Sequence, residues 1–333
     1  MSKNIAIYNS FPCHYEMFGY IIFYCVIKKY TLEIFTENFL DIGWFTFYKK
    51  IFTNYYNIIY RSCNEFENNE KRRSFDLIFL TTDDDPKFKY EWMNKKVVCI
   101  NHYYKCRRID NYHSIGVRPF VKNKIKWALP CFPLFNKPNK QFDPEVINVC
   151  IIGGGNLDNN LYNINLINRL KSNKKIMIHI ITRFATQEMV DILSKKNENI
   201  EIRLYQRFDT ENMFSLLRCV NYIFIDVTIN QDHNIGYSMS GSTPIAFSSL
   251  SRLIISSDNN KMYNFSSALE FDFNTNEDIT LDDIKEETLD LIIKERNELI
   301  QIFHNNVDEI IYNNEIMNDN EIHDYLLKNI NIL

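Results

Sequence analysis

The sequence predicts an α/β protein built from two doubly wound sheets, and three observations carry that expectation. Its 333 residues exceed the roughly 250 to 300 at which a single hydrophobic core stops growing. Short apolar runs alternate with helical patterns along both halves, as β-α-β units do. Between them, four of the 8 prolines fall from Pro130 to Pro144, and proline suits neither a helix interior nor a central strand. The expected division is an N-terminal domain over 1–130, a linker over 131–146, a C-terminal domain over 147–312 and a surface helix over 313–333.

Taken in order, Asn4–Tyr8 reads as a strand, Tyr15–Lys29 as a buried helix, and Thr31–Phe35, Phe75–Thr81, Val97–Asn101 and Trp127–Leu129 as further strands. After the prolines, strands are expected at Ile147–Ile152, Ile176–Thr182, Ile200–Leu204, Tyr222–Asp226 and Leu253–Ser256. Helices are expected near Leu161–Leu170, Gln187–Lys195, Glu211–Cys219 and Thr243–Leu250, and helical spacing runs from Leu281 to about Asn313. Each half is therefore Rossmann-like.

Composition narrows the partners. With 42 acidic and 38 basic residues and a net charge of −4, no basic face stands out, which argues against nucleic acid. The 8 cysteines show no CxxC pair or zinc spacing and read as reduced, packed thiols of a cytoplasmic protein. Phe18–Ile27 is the most apolar early stretch, too short to span a bilayer, so no transmembrane segment is expected.

In open α/β sheets, ligands bind beyond the carboxyl ends of the strands. Five of the 8 glycines lie in two such loops: Gly153, Gly154 and Gly155, then Gly236 and Gly241. Glycine permits positive φ and close approach of amides to a phosphate, which the following helix N-terminus also favours; a plain tight turn explains the same residues. Arg183, at the end of the next strand, can grip a diphosphate through two donors or simply lie exposed. In the loop before Thr243, Ser242 or Thr243 is expected to cap a helix whose second position is Pro244. His102 with Tyr103 and Tyr104 sits at a strand end and reads either as lining of a binding pocket or as core or cleft wall. No GxSxG, HExxH or P-loop lysine occurs, which weakens hydrolase, zinc protease and NTPase readings.

The segment Asn199–Asp226, a strand, an acidic turn, a helix and another strand followed by a glycine-containing loop, resembles the donor domain of GT-B glycosyltransferases of the GT4/GT1-like type. The resemblance covers roughly residues 147–260 and rests on the order of elements. It implies that Gln206, Arg207 and Phe208 face a nucleotide base, that Gly153–Gly155, Arg183, Ser240, Gly241, Ser242 and Thr243 face its diphosphate, and that Asp226 and His233 belong to the same side. It also implies a catalytic role for His14, in the first strand-to-helix loop, oriented by Glu16 or Asp83; a capping or solvated histidine is the alternative. Many retaining members carry two glutamates around the last loop and helix, where this chain has His233 and then Ala246 or Phe247.

The resulting expectation is transfer of a sugar from a nucleotide-sugar to a glycan, protein or small-molecule acceptor, with no cofactor and no metal. Two alternatives stand beside it. One is a degenerate nucleotide-sugar or glycan-binding protein. The other is a metal-dependent transferase using Asp83–Asp85.

Overall fold

A computed structural model describes residues 2–11, 14–37, 43–52, 58–68, 75–82, 96–105, 112–120, 125–135, 143–153, 164–182, 199–206, 208–227 and 236–314. Two six-stranded sheets dominate it. The first contains β1 (Asn4–Asn9), β2 (Thr31–Thr36), β3 (Ile58–Arg61), β4 (Leu77–Leu80), β5 (Val97–Asn101) and β6 (His113–Gly116) in the order β3-β2-β1-β4-β5-β6. The second contains β7 (Val146–Ile152), β9 (Lys175–Thr182), β10 (Ile200–Gln206), β11 (Tyr222–Phe224), β12 (Arg252–Ser256) and β13 (Leu269–Phe271) in the order β10-β9-β7-β11-β12-β13. Every pairing in both is parallel. A two-stranded accessory sheet joins β8 (Leu170–Lys171) to β14 (Ile279–Thr280).

The expected α/β class with two doubly wound sheets is what the chain adopts. Both sheets add strands first to one side of the opening strand and then to the other, so the order reverses between β1 and β4 and again between β7 and β11. These are the crevices where such sheets bind ligands. The strands form because each is covered on both faces: in Lys175–Thr182 every residue after the first is buried, as continuous apolar runs in parallel sheets require.

Among the described residues the helices are α1 (Phe18–Lys28), α2 (Trp44–Ile51), α3 (Cys63–Asn68), α4 (Ile164–Asn168), α5 (Thr210–Leu217), α6 (Ser242–Ser249), α7 (Ser257–Tyr263) and α8 (Glu286–Asn314). α1 ends at Lys29, which turns left-handed (φ 58°) and returns its amide to Cys25 and Val26. α5 starts at Asp209, whose carboxylate accepts the Asn212 amide at 3.0 Å. Trp127–Leu129, expected as a strand, makes only one bridge, to Gly116, because Pro130 cannot continue the ladder. α4 ends at Asn168, short of the C-terminal end of the helix expected over Leu161–Leu170, since Leu170 opens β8; 161–163 lie outside the described residues. The helix expected over Gln187–Lys195 and the tail 315–333 lie outside the described residues.

One apolar cluster runs through both halves, joining Phe18 and Tyr48 to Phe214, Phe247, Leu299 and Phe303. α2 stacks Phe47 on Phe214 of α5 with ring centroids 4.4 Å apart. The segment expected as linker packs inward as well: a Cβ on Gly19 of α1 would come within 2.4 Å of the Phe132 ring. α8 begins against the second half, where Glu295 accepts the Ser267 hydroxyl at 2.5 Å. It ends against the first, where Asp308 accepts from Tyr24 and Lys28, both at 2.7 Å. No helix among the described residues is long and apolar enough to cross a membrane.

Candidate functional site

At the carboxyl end of β1, Asn9 is fully buried and its side-chain oxygen accepts the Phe11 amide at 3.0 Å, which turns the chain. His14 follows with φ 63°, a left-handed conformation that costs a β-carbon-bearing residue energy and recurs at functional loops. A short 3₁₀ turn, Tyr15–Met17, leads into α1, and Tyr48 of α2 fixes it by donating its hydroxyl to the Tyr15 carbonyl at 3.0 Å.

Glu16 faces back toward His14, with Nδ1 to Oε1 at 3.3 Å. A carboxylate only accepts, so Nδ1 carries the proton and Nε2 the lone pair. Burial pushes the Glu16 carboxyl up; the hydrogen bond and charge of His14, with smaller help from its own backbone and His102, outweigh this and hold it below the usual carboxylate range. Both side chains keep access to solvent, His14 at 35% and Glu16 at 28% exposure.

His102, just beyond β5, lies against His14 with ring centroids 4.1 Å apart. Its Nε2 reaches the Thr81 carbonyl at 2.7 Å, which makes that nitrogen the donor. Burial, then the neighbouring His14, lowers its pKa to about 4 despite the Thr81 bond, so His102 is neutral near pH 7. Sequence reasoning offers His102 as pocket lining, core or cleft wall; its contact with His14 depends on loops that follow β1 and β5, two strands flanking β4.

The second half presents a matching edge. Gly153, directly after β7, has φ 77° and donates its amide to the Ile181 carbonyl at 2.8 Å. Nothing lies within 4 Å of where its Cβ would be, so backbone conformation, not crowding, calls for glycine. Ser242 donates its hydroxyl to the Ile152 carbonyl at 2.7 Å, tying the start of α6 to Gly153. Helix capping differs from expectation: the cap position is Gly241, without a side-chain cap. The Ser242 hydroxyl is turned to Ile152, and the Thr243 hydroxyl is buried with no hydrogen-bond partner. Pro244 is consequently the third helical residue, where its missing amide still costs nothing. Ser240 braces the turn, its carbonyl accepting the Thr243 amide at 3.0 Å.

Gln206 ends β10 in an exposed position and the Phe208 ring lies against that of Tyr205, tilted by 35° with centroids 4.7 Å apart. Asp226 follows β11 in a left-handed conformation, φ 61°. Both of its carboxylate oxygens are engaged: Ser256 donates its amide at 3.1 Å and hydroxyl at 2.9 Å, and the Asn259 amide lies 3.0 Å from each. Asp226 thus holds loops together at the edge of the sheet. Asp83, Gly154, Gly155, Arg183, Arg207 and His233 lie outside the described residues. Among the described residues no group of His, Cys, Asp and Glu is arranged to hold a metal.

The two edges meet. Tyr104 donates its amide to the Tyr237 carbonyl at 2.9 Å, its ring stacks on that of Tyr237 at 4.1 Å, and Tyr103 bridges to Ser238. Arg118 reaches across from beyond β6 to the Ser238 carbonyl. The segment after β5 that carries His102 and the segment leading into α6 therefore meet at the interface between the halves.

No family model and no curated protein matches the chain. Solved structures do. AviGT4, a glycosyltransferase involved in avilamycin A biosynthesis, aligns with a TM-score of 0.59 at 8% identity over 93% of this chain and 97% of that one. A glycosyltransferase from Rickettsia africae ESF-5 aligns with a TM-score of 0.50 at 12% identity over 98% and 99%. Two parallel six-stranded sheets facing one another in this way make the fold of the chain the GT-B glycosyltransferase fold.

Proposed function

We infer that the protein is a glycosyltransferase that moves a sugar from a nucleotide-sugar to a hydroxyl acceptor. The observation that carries this reading is the His14–Glu16 pair at the carboxyl end of β1. With Nδ1–H held by Glu16, Nε2 accepts the proton of an acceptor hydroxyl. The oxygen then attacks the anomeric carbon, and the bond from that carbon to the diphosphate breaks, the diphosphate leaving with the electron pair. A single displacement inverts the configuration at that carbon. The departing anion is met at the N-terminal end of α6, beside Gly153, where the helix dipole favours negative charge. The base lies by Gln206 and Phe208. None of these groups requires a metal or cofactor for its part.

A second reading, nucleotide-sugar binding without transfer, is favoured by one observation. Ala246 and Phe247 are almost fully buried, at 1% and 2% exposure, so α6 offers a ribose no carboxylate at those two positions.

The test begins with thermal melting of the purified chain against UDP, GDP, CMP and their sugars, because a ligand of the native state raises the midpoint. Donor consumption is then followed with and without screened acceptors, for the parent chain and for His14→Ala. A selective shift with turnover that needs His14 supports transfer; a shift with no turnover supports binding alone; no shift overturns both.

A further inference from the structure

Arg118 follows β6 in the N-terminal half, yet its guanidinium reaches Ser238, Asn259 and Met262 of the other half. Nη1 donates to the Ser238 carbonyl at 2.7 Å and Nη2 to Asn259 Oδ1 at 2.9 Å. The group also lies over the Tyr263 ring, 4.7 Å from its centroid, and the residue is 1% exposed. Asn259 passes the constraint on: its Nδ2 sits 3.0 Å from both oxygens of Asp226, which in turn binds the amide and hydroxyl of Ser256.

The two ends of this chain of contacts matter. Ser238 lies three residues before Gly241, the cap of α6. Asp226 sits where the chain leaves β11, the strand beside β7 and Gly153. One side chain therefore holds both ends of the connection from β11 to α6 that borders the candidate diphosphate site, directly at Ser238 and through Asn259 at Asp226. A planar guanidinium with several fixed donors suits this task, since it satisfies a carbonyl and an amide oxygen at once.

We propose that Arg118 is a positioning residue through which the N-terminal half completes the nucleotide-binding site of the C-terminal half. The proposal rests on the reading of that site given above. Its consequence is reciprocal: docking of the halves strengthens nucleotide binding, and nucleotide binding strengthens docking by the same factor. An arginine serving only as interface packing would have neither effect, because its loss would loosen the whole interface without singling out this connection.

Amide hydrogen exchange on the full chain separates these cases before any ligand is added. In Arg118→Met, residues 237–245 and 256–263 are expected to exchange about tenfold faster, the loss of about one charge-assisted hydrogen bond, while β1, β2 and β4 keep the parental rate. Arg118→Lys, which keeps the charge and one contact, falls between. Asn259→Ala, made on the other half, reproduces the pattern even if Arg118→Met folds poorly. Unchanged exchange in those segments, or a uniform rise across both sheets, overturns the proposal. UDP is then added. Weaker UDP protection of 240–245 in the variants, by about tenfold in Kd, completes the case, and equal protection overturns the coupling. Absence of any UDP effect on the parent chain would instead refute the nucleotide reading, while the ligand-free comparison would still decide whether Arg118 orders the connection.

Discussion

The rings of His14 and His102 lie 4.1 Å apart, tilted by 37°, although one follows β1 and the other β5, with β4 between them in the sheet. His102 is anchored through Nε2 to the Thr81 carbonyl and stays neutral near pH 7 because its pKa falls to about 4. It therefore forms a flat uncharged wall beside His14.

Replacing His14 with Ala is expected to lower the transfer rate by about 10²- to 10⁴-fold, the usual worth of a positioned base. Its half-exposed side chain should cost the fold little, within about 0.5 kcal/mol. His102→Phe keeps a flat ring and should retain most activity, whereas His102→Ala should not. Initial rates and urea midpoints measured on the same preparations check the three variants together.

A single displacement fixes the stereochemistry. With an α-linked nucleotide-sugar as donor, the product should carry a β linkage, and the coupling constant of its anomeric proton in an NMR spectrum reports which one forms. A retained configuration would remove His14 from the role given to it.

Acid should destabilise the protein before its carboxylates titrate. Burial, first of all, lowers His179 and His304 to about 4, aided by Arg203 and Lys28 respectively, and both side chains are buried. The unfolded chain binds these protons near pH 6.5, so stability is fully present above that pH and is lost as pH falls toward 4. Each group can cost up to about 3 kcal/mol at the acid end. His304 Nε2 has no hydrogen-bond partner, so His304→Leu should fold and show a shallower loss between pH 6.5 and 4 in urea titrations.

Gly19→Ala should destabilise by about 1 to 3 kcal/mol, the common cost of overpacking, because the new Cβ would meet the Phe132 ring at 2.4 Å. Gly19→Ala combined with Phe132→Leu should recover part of it, as equilibrium unfolding can show.

How far the sequence reached depends on what each element is made of. Central strands such as Lys175–Thr182 carry their own signal, since burial on both faces writes an unbroken apolar run. β3 (Ile-Ile-Tyr-Arg), β6 (His-Ser-Ile-Gly) and β13 (Leu-Glu-Phe) are short and sit at sheet edges, and they exist because a neighbour offers its hydrogen bonds. His14 and Gly153 could be found by position, since strand-to-helix loops mark the ligand edge. Arg118 could not: its partners lie 120 and 141 positions away, and a lone arginine before a proline carries no local mark of them.

The long closing helix α8 has a consequence for synthesis. Tyr24 meets Asp308 across 284 positions, and Tyr20 meets Phe303 with rings 4.2 Å apart. A nascent chain that has emerged only through its first sheet therefore displays the outer face of α1, with Tyr20 and Tyr24 uncovered, until α8 has left the ribosome. Completion of the first half waits on the synthesis of α8, and during that interval the bare aromatic face is the surface a chaperone would hold.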